Sequence, residues 1–209
     1  MLDIFLIASL VILVFSAVAH EYAHGAMADY LGDPTAKMAG RLTLNPIAHL
    51  DPLGSVLVPL LLVFSGARIF FAWAKPVPFN PYLLRDKVYG PAKVALAGPI
   101  TNLLLAVVFG LVLRFWPYQG STFLFNLSQF FDAVVWVNLS LAVFNLVPIP
   151  PLDGSHILFA FFPKAWESIH RALAQYGSIL LVVFILFFPR LLLPIISFLY
   201  LLIVGVPIL

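Results

Sequence analysis

The chain has 209 residues, 63% of them hydrophobic and 10% charged, with a formal net charge of +2. A soluble domain averages about 25% charged residues, so this composition excludes one and implies an integral membrane protein. The basic residues form no run, which argues against nucleic acid as a partner, and the absence of cysteine leaves any metal to His, Asp and Glu.

A membrane helix needs about 20 apolar residues, and long apolar segments occupy 4–28, 52–73, 94–116, 133–149 and 176–208. The first follows Met-Leu-Asp, which lacks the positive leader of a signal peptide, so residues 3 to about 30 read as a retained helix. Its C-terminal end carries His20, Glu21 and His24 in the stretch AHEYAHG. Histidines four apart project from one helix face, one turn from each other. With the glutamate beside them they form H-E-x-x-H, two zinc ligands and a carboxylate that handles a water. Polar groups snorkelling from a helix end are the plainer alternative. Each ionised group deep in a membrane helix costs about 2.5–3.5 kcal/mol, which makes such groups functional candidates by default.

Residues 29–51 and 74–93 are polar, rich in Pro and Gly, and read as loops or short strands. Between them, 52–73 looks like a plain span broken only by Pro59 and Gly66. The segment 94–116 follows, then 133–149, which runs into NLVPIPPLDGSH at 145–156. Pro148, Pro150 and Pro151 stop that helix, and irregular backbone at membrane depth is tolerated only where it lines protein or a wet cavity. Catalytic zinc takes three protein ligands, and the third comes from His49, Asp51, Asp132, Asp153, His156 or Glu167. The setting favours Asp153, although an N-cap for the segment that follows explains that aspartate equally well. The last segment is long enough for two passes, with Pro189-Arg190 and Pro194 marking a turn.

HEYAH at 20–24, AGPITN at 97–102 and NLVPIPPLDG at 145–154 resemble, in the same order, the motifs of the site-2 proteases, intramembrane zinc metallopeptidases. The resemblance covers nearly the whole chain. It is strongest to the small bacterial and archaeal type without PDZ or CBS domains, which also carries stretches like LNPIAHLDPLGS (44–55) and WAKPVPFNP (73–81). It implies that His20, His24 and Asp153 hold one Zn²⁺ per chain and that Glu21 is the catalytic base. It further implies that Asn102 and Asn145 bind the substrate backbone or the oxyanion, and that residues 34–50 form a membrane-embedded β-hairpin presenting the substrate as an added strand. His49 reads as a hydrogen-bonded structural histidine, and His156 as a neighbour of the metal site rather than a ligand. The implied partners are transmembrane or signal-peptide-like protein substrates and the lipid bilayer; a homo-oligomer is left open. A transporter using intramembrane His and Asp, or a catalytically silent membrane binding protein, is the competing reading, and the intact motif set argues against both.

The expected fold is an all-α polytopic membrane protein of about five to six membrane helices, with the β-hairpin and a re-entrant segment. It is expected as one domain, with a catalytic core over about 1–163 and C-terminal helices over about 166–208. His20 lies near the C-terminal end of its helix and Asp153 follows the C-terminal end of another, so those two helices should run the same way. Asn102, near the start of its helix, should sit on one running the opposite way. Residues 52–73 should then enter and leave on one side as a re-entrant segment; the alternative is a full crossing with part of 74–93 dipping back. If 25–93 and 153–171 face the cytosol, they carry nine of the eleven Lys and Arg residues, leaving Arg114 and Arg190 outside. That places the N-terminus outside the cell membrane and the zinc nearer the cytoplasmic face.

Overall fold

In a computed structural model of the chain, the structure describes residues 4–51, 75–115, 121–161 and 190–206, together with 54, 57, 61, 64, 180, 183 and 184. Helix α1 spans Ile4–Tyr30. It runs unbroken because its sequence contains no proline and reaches its first glycine only at Gly25. Gly32 ends it at φ 105°. The Asp33 amide donates to Ala28 O at 2.9 Å and the Gly32 amide to Asp29 O at 3.0 Å, the paired bonds of a glycine-terminated helix end.

After a short helix α2, Thr35–Met38, and a 3₁₀ turn, Pro46–His49, the chain enters α3, Gly90–Phe115. The next helix, α4, spans Thr122–Asn145, with the Ser121 hydroxyl oxygen accepting from the Leu124 amide at 3.3 Å. Helix α5, Asp153–Phe161, follows the proline-rich break, and α6 covers Arg190–Val204. Helices α1, α3 and α4 are each long and apolar enough to cross a membrane. Their outward faces suit lipid as a solvent: Phe15, Leu104, Val108, Phe123 and Phe125 are exposed.

Helix directions follow from the side-chain pairs. Ser16 and His24 of α1 meet Asn102 and Val94 of α3, so these two helices are antiparallel. Asn102 and Phe109 of α3 meet Asn138 and Phe131 of α4, again antiparallel. Helices α1 and α4 therefore run the same way, as the ligand positions required. The core is formed by Ala106 and Leu113 of α3, Val135, Leu139 and Val143 of α4, and Leu192, Ile196, Tyr200 and Val204 of α6. Gly110 lets α6 approach, since a Cβ there would lie 2.4 Å from Ile203 Cγ2.

One expectation is corrected. Residues 34–50 contain no strand and therefore no β-hairpin; α2 and the 3₁₀ turn lie there instead. Short polar side chains decide the outcome by bonding to nearby backbone, which competes with a strand ladder. Asp33 Oδ1 accepts from the Thr35 amide at 3.0 Å, and Asn45 Oδ1 accepts from the Ile47 amide at 3.1 Å. Pro46 at the start of the turn offers no amide to a neighbouring strand. The re-entrant segment expected at 52–73 and most of the C-terminal region before α6 lie outside the described residues.

Candidate metal centre

His20 is 6% exposed, and its ring orientation is set by a chain of buried hydrogen bonds. The chain starts at a backbone carbonyl, which can only accept. Asn138 Nδ2 donates to Val134 O at 2.9 Å and to Ser16 Oγ at 2.9 Å. That turns Asn138 Oδ1 toward Asn102, whose Nδ2 donates to it at 2.8 Å and to Ser16 O at 3.3 Å. Asn102 Oδ1 is left to accept from His20 Nδ1 at 2.6 Å. His24 Nδ1 likewise donates to the Val94 carbonyl at 2.7 Å. With both Nδ1 atoms committed as donors, the neutral imidazoles present Nε2 lone pairs.

Those lone pairs converge. The two Nε2 atoms are 3.0 Å apart, and Asp153 Oδ2 lies 3.0 Å from that of His20 and 3.3 Å from that of His24. Asp153 Oδ2 is buried and has no hydrogen-bond partner. Three acceptors facing one another repel unless a proton or a metal ion lies among them, and this donor set could hold a metal. A tetrahedral ion with metal–ligand bonds of about 2.0–2.1 Å has ligand–ligand edges of roughly 3.3 Å, close to the observed separations. Two imidazoles and one carboxylate suit zinc and leave one coordination position. The Asp153 carboxylate faces the imidazoles from the first residue of α5, the arrangement its reading as a ligand needs.

Two glycines make the convergence sterically feasible. A Cβ at Gly98 would lie 2.5 Å from His24 Nε2 and 2.6 Å from His20 Nε2, so α3 offers bare backbone where the imidazoles sit. A Cβ at Gly154 would lie 2.2 Å from Leu146 O and 2.6 Å from Val147 O. The start of α5 is thus pressed against the backbone that ends α4, which fixes where Asp153 stands.

The sequence model of peptidase family M50 matches residues 117–189, a stretch that includes Asp153. YwhC of Bacillus subtilis is 38% identical over 175 residues, covering 82% of this chain and 76% of that protein. The chain belongs to peptidase family M50, the site-2 proteases. Two further M50-like relatives are Rip2 of Mycolicibacterium smegmatis, 32% identical over 83% of this chain and 64% of its own length, and MJ0611 of Methanocaldococcus jannaschii, 36% identical over 59% of each. The chain thus spans less than two thirds of these two. All three carry the provisional name of zinc metalloprotease. No solved structure matches the chain.

Around this M50 metal centre the other expected residues are distributed unevenly. Glu21 Oε2 accepts from the Val77 backbone amide at 2.8 Å. Asn102 lies behind His20, fully buried, with its carbonyl and amide both engaged, and its carbonyl orients the His20 ring. Asn145 Nδ2 donates to Leu141 O at 3.0 Å, within its own helix. His49 is 1% exposed and its Nε2 donates to Thr43 O at 2.8 Å, a structural placement. His156 sits 6.3 Å, ring to ring, from Phe79 and outside the converging group. Asp51 Oδ1 accepts from the Gly54 amide, and Asp132 accepts from the Tyr200 hydroxyl, so both serve elsewhere. Glu167 lies outside the described residues. Beyond the spans, the Lys93 ammonium 2.8 Å from Asp86 holds that carboxyl down at about 2. Sequence reasoning missed Ser16, Asn138, Val94, Gly98 and Gly154. Ser16 did leave a signal, because Ser16, His20 and His24 form a polar stripe at four-residue spacing in an apolar helix.

Proposed function

We propose that this M50 metalloprotease is an intramembrane endopeptidase, with one Zn²⁺ per chain on His20, His24 and Asp153. It hydrolyses peptide bonds within or beside transmembrane segments of membrane-anchored substrates. The observation that carries the reading is the convergence of His20 Nε2, His24 Nε2 and Asp153 Oδ2, 3.0–3.3 Å apart, on two helices of an apolar bundle, with Glu21 next in the chain to His20. Bound zinc supplies Lewis acidity toward a water and the scissile carbonyl. Glu21 takes a proton from the attacking water and returns it to the leaving amine. The Asn102–His20 and Val94–His24 bonds keep both Nε2 atoms available. Asn145, whose amide caps its own helix in this arrangement, serves the oxyanion only if its side chain turns out of the Leu141 contact. A transmembrane substrate must unwind before its carbonyl can be attacked, because a helix holds its carbonyls in internal bonds.

Glu21→Gln retains the zinc ligands and removes the base. Expected is one zinc per chain by elemental analysis together with loss of cleavage in reconstituted vesicles. Full cleavage by that variant would overturn the mechanism. For orientation, we place the N-terminus outside and the 75–89 region in the cytosol, on the nine-to-two distribution of Lys and Arg. The chain has no cysteine, so Asn80→Cys gives a single labelling site. Protection from an impermeant thiol reagent in intact cells is expected; ready labelling from outside contradicts the orientation.

A further inference from the structure

The segment that touches Glu21 has a composition suited to one task. It reads Lys75-Pro76-Val77-Pro78-Phe79-Asn80. Both ends are fixed by backbone bonds. The Lys75 amide donates to His49 O at 2.9 Å and Lys75 O accepts from Arg41 Nη2 at 2.7 Å, while the Asn80 amide donates to Asp33 Oδ2 at 2.5 Å. Between these anchors, Pro76 and Pro78 have no N–H and restrict the backbone toward an extended form. Val77 therefore carries the only amide donor of the tripeptide, and that donor is on Glu21 Oε2. The Val77 side chain is buried, with its Cγ1 3.2 Å from where a Cβ on Gly25 would be. Gly25 is one helical turn beyond Glu21, so amide and side chain of Val77 register on the same face of α1. Phe79, two residues on, reaches the ring of His156 on α5, the helix that carries Asp153. The strap thus touches both ligand-bearing helices.

We propose that the backbone amide of Val77 is a positioning group for the catalytic base: the Pro-Val-Pro strap holds Glu21 Oε2 in a single direction and leaves Oε1 to exchange the proton with water and leaving amine. Prolines on both sides keep competing donors away from the carboxylate, and the anchors at Lys75 and Asn80 hold the amide in place without help from the substrate. The proposal rests on the reading of Glu21 as base.

The test is an amide-to-ester replacement at position 77, with the hydroxy-acid analogue of valine introduced by nonsense suppression. It keeps the side chain and removes the donor. Cleavage of a transmembrane reporter in vesicles, zinc content and thermal stability are measured, with Val77→Pro as a second donor-free variant and valine itself introduced by the same suppression as the donor-retaining control. Misplacing a general base lowers turnover by about 10–100-fold. Expected is a loss of that size in kcat for both donor-free variants relative to that control, with KM and zinc content unchanged. Wild-type kcat in the ester variant overturns the proposal, as does a loss confined to KM, zinc or stability, which marks a purely structural tie. Glu21→Gln is measured alongside. If it stays active, the assignment of the base itself fails; if it is inactive while the ester variant turns over normally, only the strap's role fails.

Discussion

Asn138 touches no ligand atom of the metal centre, yet it determines which way the His20 ring is protonated. Its amide is pinned by the Val134 carbonyl, and that orientation passes through Asn102 to His20 Nδ1. Asn138→Leu removes the shorter of the two bonds that orient the Asn102 amide and leaves the 3.3 Å bond to Ser16 O, so the His20 tautomer is less firmly enforced. Partners that orient metal-binding histidines are worth about 10–100-fold in affinity, and a fall of that order in zinc affinity is expected by chelator competition, with cleavage at saturating zinc partly restored. Asn102→Leu removes the acceptor itself and should fall at the upper end of that range. The sequence displayed His20 and His24 because the H-E-x-x-H spacing is local, whereas Asp153 stood level with an N-cap reading until the family resemblance favoured it. The carbonyl of Val94 and the amide of Val77 have no such signature: any residue but proline supplies an amide, and every residue supplies a carbonyl.

At the scale of elements, the metal centre is a meeting of two helix surfaces and one helix start, and glycines set the distances. Gly98→Ala puts a methyl where both Nε2 atoms are, 2.5–2.6 Å away. The neighbours it strikes are the ligands, so zinc content should drop well below one per chain while helicity by circular dichroism is retained. Gly154→Ala strikes backbone, the Leu146 carbonyl at 2.2 Å, and must displace α5. It should lose zinc and also lower the unfolding temperature, since no side chain can move aside. Elements were also where sequence reasoning failed. Loops, short helices and hairpins share a taste for Pro, Gly and Asn, so 34–50 was compatible with each. Asp33, bonded to the first amide of α2, and Asn45, capping the 3₁₀ turn, settled the matter through bonds only the folded chain displays. The directions of α1, α3 and α4 were readable because requiring His20, Asp153 and Asn102 to meet at one depth is a constraint on parity, independent of local propensity.

For the whole molecule, a metal held by the proposed ligands would be a cross-link. Two ligands sit on α1 and one on α5, positions 129 residues apart between His24 and Asp153. Among the described contacts, α5 is otherwise held chiefly by its abutment on the end of α4 and by α3. An ion that binds the folded form alone stabilises it by mass action, and the gain should concentrate where the metal supplies the missing tie. Hydrogen exchange before and after chelation should accelerate over 153–161 and change little over 122–145. Uniform acceleration along both helices would show that the metal holds the entire bundle.

The polar knot of Ser16, Asn102 and Asn138 has a bearing on traffic. Its three members belong to α1, α3 and α4, and every bond among them is buried at the level of His20. Parting those helices there strips several amide groups of their partners in a medium that offers none in exchange. That seam is a bolted door. A polypeptide substrate of the proposed protease is then expected to approach away from the knot, on the side of the Pro-Val-Pro strap or of α5.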